Sequence, residues 1–503
     1  MRRKDFDLPG TLTKLFWLLF AACFTFVIVS ILFRSARQDA AQRIFMAAGT
    51  AACAALLYLL GRLSGRYERV LEEHYKMILI LFTAAMFTLE LLFALALRHG
   101  TWFDVGALHQ GAAQWVETGT FAGFYEYYGY FPNNLGGMAF LYAVFKAASL
   151  AGFTDYYAAA ALATCIMLSA MMAVVSLICK RLAGAGSAVL SLAVFVLSAQ
   201  FRVLGGAVYT DTLSMLFPVL IFYLYLLSRE SKGRRRLCLC LLMGLAAGIG
   251  GLIKITVLIM VIAVLIDACL RLEWRAFARL AVCALGIPAV MSMALSAYMY
   301  CAHLSREEAE IHNTPLLHWV MMGLRGSGYY NPEDYAFTRS LPPEERGAAL
   351  REEIGRRVRE RGLTGMLDLF SRKSAIDFGD GTYGADDFLK IYPERDTWLH
   401  DFVLKDGRSY WLYSGYTTAL HMALMLFMLI PAYRSLAGRG RGREDGVPLS
   451  LPLYMAVFGV WLFLMLWEAS PRYFSNFAPA VIACGVLGAD PSRLDNHPRD
   501  VIF

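Results

Sequence analysis

The sequence predicts an all-α polytopic membrane protein with about twelve transmembrane helices and one extracytoplasmic domain, mainly helical and of α or α+β type. Of its 503 residues, 58% are hydrophobic and only 17% are charged, whereas about 25% are charged in an ordinary soluble domain. Several apolar runs approach the roughly 20 residues that a helix needs to cross a bilayer. Charged residues are concentrated in one segment. A soluble α/β enzyme, a fibre and a disordered chain are therefore excluded.

The net charge of +7 is divided unevenly along the chain. Residues 302–410 contain 15 Lys/Arg and 19 Asp/Glu, a balance of −4, and the rest of the chain contains 32 and 21, a balance of +11. We therefore predict a membrane domain of about nine spans over 1–301, an extracytoplasmic domain over 302–410, and three spans with a cytoplasmic tail over 411–503. The basic residues form no single patch, so they do not indicate a nucleic-acid partner.

Each candidate span is an apolar run. The runs cover residues 13–33, 44–61, 77–97, 157–179, 186–201, 212–228, 237–253, 255–272, 278–300, 411–431, 450–467 and 473–489. The first run is longer than the apolar core of a signal peptide, and no small-residue cleavage site follows it. A further run at 135–150 is shorter and interrupted by Lys146, which predicts a helix lying at the outer membrane interface.

The distribution of Lys and Arg predicts the orientation, because basic residues in short connections stay in the cytoplasm. With the N-terminus inside, the cytoplasmic connections hold 24 Lys/Arg and the short outer connections hold 8. Both termini are then cytoplasmic, and two hydrophilic segments, 98–156 and 302–410, face outward. The functional residues are expected on that outer face.

Asp104 lies just past the third apolar run, at the start of a segment with a helical apolar stripe. A carboxylate held at the bilayer boundary is well placed to meet the head group of a lipid-borne substrate. Asp also favours the position that caps a helix N-terminus, here one that begins at Val105. Both interpretations of Asp104 stay open, and the same two apply to Asp211 at the outer start of the sixth run.

Lys254 interrupts an apolar stretch that runs from Leu237 to Ile266. A lone cation there is costly unless it is paired or faces water. We expect an anionic ligand or a carboxylate as its partner. The alternative is that the long side chain extends to the outer surface.

The connection between the last two runs contains Glu468, Arg472 and Tyr473. Arginine suits phosphate because its planar guanidinium makes paired hydrogen bonds. An internal ion pair between Glu468 and Arg472 that staples a tight turn is the alternative. No Walker, GxSxG or HExxH motif occurs, and the histidines lack metal-ligand spacing.

Taken in order, these features resemble a known family. They are an Asp in the first large outer loop, a following Thr118-Gly119 and aromatic Pro-Asn segment, a second Asp at a helix start, a Gly-rich helix leading into Lys254, and a closing Glu-x-x-x-Arg-Tyr. The sequence resembles the GT-C glycosyltransferases, and most of all the bacterial integral-membrane relatives of dolichyl-phosphate-mannose protein mannosyltransferases and lipid A aminoarabinose transferases. The resemblance covers roughly residues 77–300 and 411–489.

The resemblance implies a GT-C-like fold in the bacterial cytoplasmic membrane and transfer of a sugar, with inversion, from a polyprenyl-phosphate donor lipid to an extracytoplasmic glycan, lipid or protein acceptor. Asp104 would act as general base. Cations near the membrane surface would stabilise the departing lipid phosphate. The candidate donor- and substrate-binding residues are Asp211, Lys254, Arg472, Glu468, Tyr473, Arg202, Tyr130, Asn133, Asn134 and His109. No residue is assigned as a metal ligand, and a divalent cation stays open as a cofactor.

The sequence departs from the family pattern in two places. The first loop of the family often carries paired acids, whereas Asp104 is followed by Val105. This leaves open whether Asp104 is the only base or whether Glu117 or Glu126 assists. The 302–410 domain does not resemble the β-trefoil module of the mannosyltransferases; it is similar to that of uncharacterised members in Gram-positive bacteria, and its residues 344–361 predict a highly charged helix.

Two other function classes fit parts of the pattern. A transporter or lipid flippase is an alternative because twelve spans with both termini inside is a common carrier plan. However, no repeat relates the two halves, and the polar residues cluster at the outer boundary rather than at the midplane where carriers bind. A ligase or polymerase of surface polysaccharide that uses a lipid-diphosphate donor is the second alternative.

Overall fold

The computed structural model describes residues 8–34, 40–438 and 448–489. Within these ranges the regular structure is helical and no β-strand occurs, apart from an isolated antiparallel bridge between His99 and Pro393. The prediction of an all-α protein is confirmed. Part of the predicted cytoplasmic tail and nine of the Lys and Arg residues counted for the orientation lie outside the described residues. These nine are Arg2, Arg3, Lys4, Arg37, Arg439, Arg441, Arg443, Arg493 and Arg499.

Helices in the N-terminal half are Leu8–Arg34 (α1), Ala40–Arg66 (α2), Glu68–Ala96 (α3), Phe103–Thr118 (α4), Tyr125–Tyr130 (α5), Leu135–Leu150 (α6), Tyr156–Ala183 (α7), Ala185–Leu197 (α8), Ala199–Leu204 (α9), Thr210–Leu213 (α10), Leu216–Glu230 (α11) and Gly233–Ile253 (α12). Those in the C-terminal half are Leu258–Arg271 (α13), Trp274–Ala281 (α14), Ile287–Ala302 (α15), Arg306–His312 (α16), Leu316–Gly323 (α17), Pro332–Ser340 (α18), Pro343–Phe378 (α19), Asp386–Leu389 (α20), His400–Val403 (α21), Tyr410–Leu436 (α22), Leu451–Leu466 (α23) and Ala478–Ala489 (α24). Short 3₁₀ helices cover Ala122–Phe124, Pro132–Asn134, Ile255–Val257 and Pro471–Phe477, and a π-helical turn covers Val282–Gly286.

Eight helical segments in the described ranges are long and apolar enough to cross a membrane. They are Pro9–Arg34, Arg43–Arg66, Glu68–Ala96, Tyr156–Ala183, Thr210–Glu230, Gly233–Ile253, Trp274–Ala302 and Tyr410–Leu436. The other four predicted runs contain the shorter helices α8, α13, α23 and α24. Two of these begin only after a 3₁₀ segment, because Lys254 and the Glu468-to-Arg472 connection interrupt the regular helix at those points.

Close helix packing explains the glycines of α12, which packs against α6, α11 and α15. A side chain at Gly244 would overlap the backbone carbonyl of Cys283. Small residues let two helix backbones approach closely within a membrane. The Gly-rich stretch that precedes Lys254 is thus accounted for by packing.

The 302–410 segment, here called the hydrophilic domain, is helical wherever it is regular, and α19 is its longest element. The charged stretch that the sequence predicts as a helix forms the first half of α19. Gly362 adopts a left-handed conformation, with φ of 58°, and separates this half from the second. The second half packs along α1, where Ser371 donates a hydrogen bond to Ser30 at 3.0 Å. The hydrophilic domain is therefore anchored on a membrane helix.

Candidate functional site

Asp104 lies in the first turn of α4, just beyond the end of α3, and its side chain is 30% exposed. Its carboxylate accepts hydrogen bonds from the hydroxyls of Tyr127 at 2.7 Å and Tyr209 at 3.2 Å. The residue at the cap position is Trp102, and no side chain caps the helix. Two tyrosines on separate segments therefore hold the carboxylate, and the helix-cap interpretation of Asp104 is wrong.

Asn134 contacts this carboxylate indirectly, through Tyr127. Its side-chain amide donates to the Tyr127 hydroxyl at 2.6 Å, and Asn133 donates to the Asn134 side-chain oxygen at 3.2 Å. Burial and the nearby Asp104 carboxylate raise the pKa of Tyr127 well above its ordinary value. Tyr127 therefore keeps its proton and remains a hydrogen-bond donor to Asp104.

Arg472 approaches the same carboxylate from the 3₁₀ segment Pro471–Phe477. Its guanidinium lies 3.9 Å from Asp104 Oδ2, a long ion pair, and its side chain is 21% exposed. The guanidinium also lies over two rings, 5.1 Å from the centre of Tyr209 and 5.2 Å from that of Tyr473. These contacts orient the guanidinium, and the Arg472 side chain remains partly exposed.

Lys254 forms an ion pair with Asp211 beside these rings. Its ammonium lies 5.1 Å from the centre of the Tyr473 ring, so Lys254 and Arg472 flank one aromatic side chain. Of the partners expected for Lys254, the carboxylate is the one observed. The cap position before α10 is Tyr209 rather than Asp211, so Asp211 is a partner for the lysine and not a helix cap.

Glu468 is the second acidic group close to Asp104. Its side chain is buried, and Oε2 has no hydrogen-bond partner in the described part of the chain. Burial raises the pKa of Glu468 to about 7, although the positive charge of Arg472 opposes the rise. Within the described residues Glu468 and Arg472 form no ion pair, so the predicted turn staple is wrong.

Three predicted binding residues lie apart from this cluster. His109 follows Asp104 by five residues on α4, which places it on another face of the helix at about 100° per residue. It packs against Phe145 and lines a separate cavity of about 390 Å³ with Arg98, and burial lowers its pKa to about 4. Arg202 donates to the Val196 carbonyl at 2.9 Å.

Tyr130 is the third such residue, since its ring contacts Arg339 of the hydrophilic domain at 3.7 Å. The two acids proposed to assist Asp104, Glu117 and Glu126, are exposed. The acid that interacts electrostatically with Asp104 is instead Glu468, whose pKa the Asp104 charge helps to raise. The divalent cation has no cluster of three or more His, Cys, Asp or Glu ligands among the residues that the structure describes.

Sequence reasoning missed Tyr127 and Tyr209, which hold Asp104. The available signals were the Tyr-rich run after Phe124 and the position of Tyr209 two residues before Asp211. Neither signal identifies a contact, because the hydroxyls reach Asp104 across 23 and 105 residues of chain.

The helices and this polar cluster define the class of protein, an all-α polytopic integral membrane protein in which several helices end at one polar site. A family model described as "conserved hypothetical integral membrane protein" matches residues 9–493. The match covers most of the chain, and the protein belongs to that family. No curated protein matches the sequence.

Proposed function

We propose that the protein is a membrane glycosyltransferase that moves a sugar from a polyprenyl-phosphate donor to a glycan, lipid or protein acceptor on the extracytoplasmic face, in bacterial cell-envelope synthesis. The observation that carries this proposal is the pairing of the Asp104 carboxylate with the Arg472 guanidinium, 3.9 Å apart near the ends of apolar helices, on two side chains that are both partly exposed. A base and a phosphate-binding cation are the two groups that such a transfer requires.

In this mechanism the donor phosphate binds Arg472 and replaces Asp104 as its partner. The freed carboxylate then accepts the proton of the acceptor hydroxyl, while the acceptor oxygen bonds to the anomeric carbon. The bond from that carbon to the phosphate oxygen breaks, and its electron pair leaves with the lipid phosphate. Tyr127 and Tyr209 keep the carboxylate oriented throughout. Lys254 is already neutralised by Asp211, so Arg472 carries most of the phosphate binding.

The proposal includes a GT-C-like arrangement with twelve crossings, cytoplasmic termini and an outward-facing site. Contacts at the site support the number of crossings. The hydrogen bond from Tyr209 to Asp104 brings the start of α10 to the end of α3, although only one long helix, α7, lies between them. This contact supports a second crossing by α8 and α9. The ion pair of Arg472 with Asp104 likewise supports a crossing by α23.

The position of the site supports transfer over transport. Lys254 and Glu468 lie one and two residues past the ends of α12 and α23, and Asp104 lies in the first turn of α4, eight residues past the end of α3. Carriers place their binding sites near the middle of the bilayer. A cluster at helix ends suits a substrate whose lipid stays in the membrane while its head group reacts at the surface.

The test uses the purified protein in lipid nanodiscs with a panel of radiolabelled polyprenyl-phosphate sugars, and measures release of free polyprenyl phosphate. Asp104→Asn should fold and lose nearly all release, on the order of 100-fold or more. Asp396→Asn, at an exposed acid of the hydrophilic domain, is the matched control and should keep full release. Wild-type turnover in Asp104→Asn would remove Asp104 from the mechanism, and no release from any donor by the wild type would reject the function.

A further inference from the structure

A fully buried lysine of the hydrophilic domain contacts the segment that leads to Arg472. Lys373 lies in the second half of α19, and its ammonium donates hydrogen bonds to the backbone carbonyls of Met465 at 3.0 Å, Gly323 at 3.3 Å and Trp467. Two of these carbonyls belong to the end of α23 and the residue after it. The three ammonium donors are all directed at backbone.

Further contacts hold the next residues of the same segment. Asp377, one helical turn beyond Lys373, accepts a hydrogen bond from the backbone N–H of Ser470 at 2.8 Å. The backbone N–H of Ala469 donates to the Gly328 carbonyl at 2.7 Å. A side chain at Gly323 would overlap the Trp467 carbonyl, so the two chains touch without side chains between them. Residues 465–470 are thus hydrogen-bonded to two parts of the hydrophilic domain, α19 and Gly328.

This attachment matters because residues 467–470 lie between α23 and the following 3₁₀ helix, outside regular structure. The segment carries Glu468 and continues directly into Arg472. Catalytic groups must be held to a fraction of an ångström, since a displacement of about 1 Å can cost roughly 100-fold in rate. The hydrophilic domain supplies the hydrogen bonds that the segment does not make within itself.

Stability alone gives no reason for an ionisable group at this position. A buried charge costs free energy unless all its donors are satisfied, and apolar residues of similar volume are often as stable. An ammonium with three carbonyl acceptors does what an apolar side chain cannot, because it fixes the orientation of three peptide groups at once. Burial lowers the pKa of Lys373, and the charges of the nearby acids Asp377 and Glu468 oppose this fall.

We propose that Lys373 and Asp377 are positioning residues, through which the hydrophilic domain holds residues 465–470 so that Arg472 and Glu468 face Asp104. The role of Arg472 in binding lipid phosphate rests on the proposed function, whereas the positioning itself does not. The hydrophilic domain is on this view a structural part of the site that orients its phosphate-binding arginine.

The test compares Lys373→Met, which keeps the side-chain stem, and Asp377→Ala, which removes the acceptor of the Ser470 N–H. Asp377→Asn is the conservative variant that retains an acceptor, and Lys390→Met, at an exposed lysine of the same domain, is the control. Hydrogen exchange of the 465–472 peptide and binding of polyprenyl phosphate are measured for each protein in nanodiscs. Lys373→Met and Asp377→Ala should exchange at least 10-fold faster there and bind at least 10-fold more weakly, with partial rescue in Asp377→Asn.

Each result decides the question. Unchanged exchange in folded Lys373→Met and Asp377→Ala would overturn the positioning role, and so would faster exchange with wild-type binding of polyprenyl phosphate. If Lys373→Met does not fold, the contrast between Asp377→Ala and Asp377→Asn gives the answer. Faster exchange in the variants, combined with no binding of polyprenyl phosphate by the wild type, would support the positioning and reject the proposed function.

Discussion

Glu468 is the site residue whose ionisation the structure constrains most clearly. Its carboxylate is buried and interacts electrostatically with Arg472 and Asp104, and one of its oxygens has no hydrogen-bond partner among the described residues. Burial disfavours the charged form and raises the pKa from 4.5 to about 7. The folded protein therefore binds a proton at Glu468 more tightly than the unfolded chain does.

This difference predicts a pH dependence of stability that is absent in Glu468→Gln. Because the folded pKa is the higher one, the stabilisation is fully present below pH 4.5 and is lost as the pH rises through about 7. The free energy of unfolding of the wild type, relative to Glu468→Gln, should fall by roughly 3 kcal/mol at most across that window and be constant above it. Denaturation of both proteins in detergent between pH 4 and 8 measures this.

Glu117→Gln is the matched control, because Glu117 is exposed. Its difference from the wild type should stay nearly constant over the same pH range. A constant difference for Glu468→Gln as well would mean that Glu468 titrates alike in the folded and unfolded protein, and that its burial has no electrostatic consequence.

The sequence predicts many residues of the cluster individually. Asp104, Asp211, Lys254, Glu468 and Arg472 each stand where an apolar run begins or ends on the predicted outer side, and in the structure all five lie together. Which of these residues pair with each other cannot be predicted from the sequence, because the pairing depends on side-chain directions at the ends of different helices. The sequence does not single out Lys373 either, because it lies in a charged segment where a lysine is ordinary.

At the scale of elements, the apolar runs predict where the helices lie but not how they end. Helix α12 stops at Ile253 and α23 at Leu466, and one non-helical residue after α12 and four after α23 precede a 3₁₀ segment. The apolar runs at 255–272 and 473–489 extend into these 3₁₀ segments, so they predict longer helices than the structure has. The breaks place Lys254 and Arg472 at the site, which is a requirement of tertiary contacts rather than of local sequence.

Helix α6 depends on a close contact that Gly136 permits. A side chain there would overlap the carbonyl of Leu252 near the end of α12. Gly136→Ala should therefore push α6 away from α12 and lower the free energy of unfolding by about 1–3 kcal/mol. Because α6 begins directly after Asn134, the change should also reduce release of polyprenyl phosphate. Thermal denaturation and the release assay measure the two effects.

Gly286→Ala is the control for this substitution, since a side chain at Gly286 would meet no atom within 4 Å. It should leave stability within about 0.5 kcal/mol of the wild type. Equal stability of Gly136→Ala and Gly286→Ala would show that α6 can shift without cost, and that its contact with α12 does not define the position of Asn134.

At the scale of the whole molecule, the contacts at the site and the lengths of the helices favour different numbers of membrane crossings. The eight long helices alone would leave no crossing between α7 and α11, and the connection between α11 and α12 would then lie on the same side as the hydrophilic domain. The contact between Tyr209 and Asp104 favours a further crossing between α7 and α11, because it brings the start of α10 and the end of α3 to one side. We therefore expect α8, with 13 residues or roughly 20 Å, to cross together with α9.

Labelling of two introduced cysteines in intact cells decides between these arrangements. Arg235→Cys lies in the first turns of α12, and Glu352→Cys lies on the exposed surface of α19. In a chain whose exposed Cys301 is replaced by Ser, a membrane-impermeant maleimide should label Glu352→Cys at once and Arg235→Cys only after permeabilisation. The Cys301→Ser parent measures the background from the other cysteines. Labelling of both positions from outside would mean that α8 does not cross, and would separate Asp211 and Lys254 from the side on which Asp104 lies.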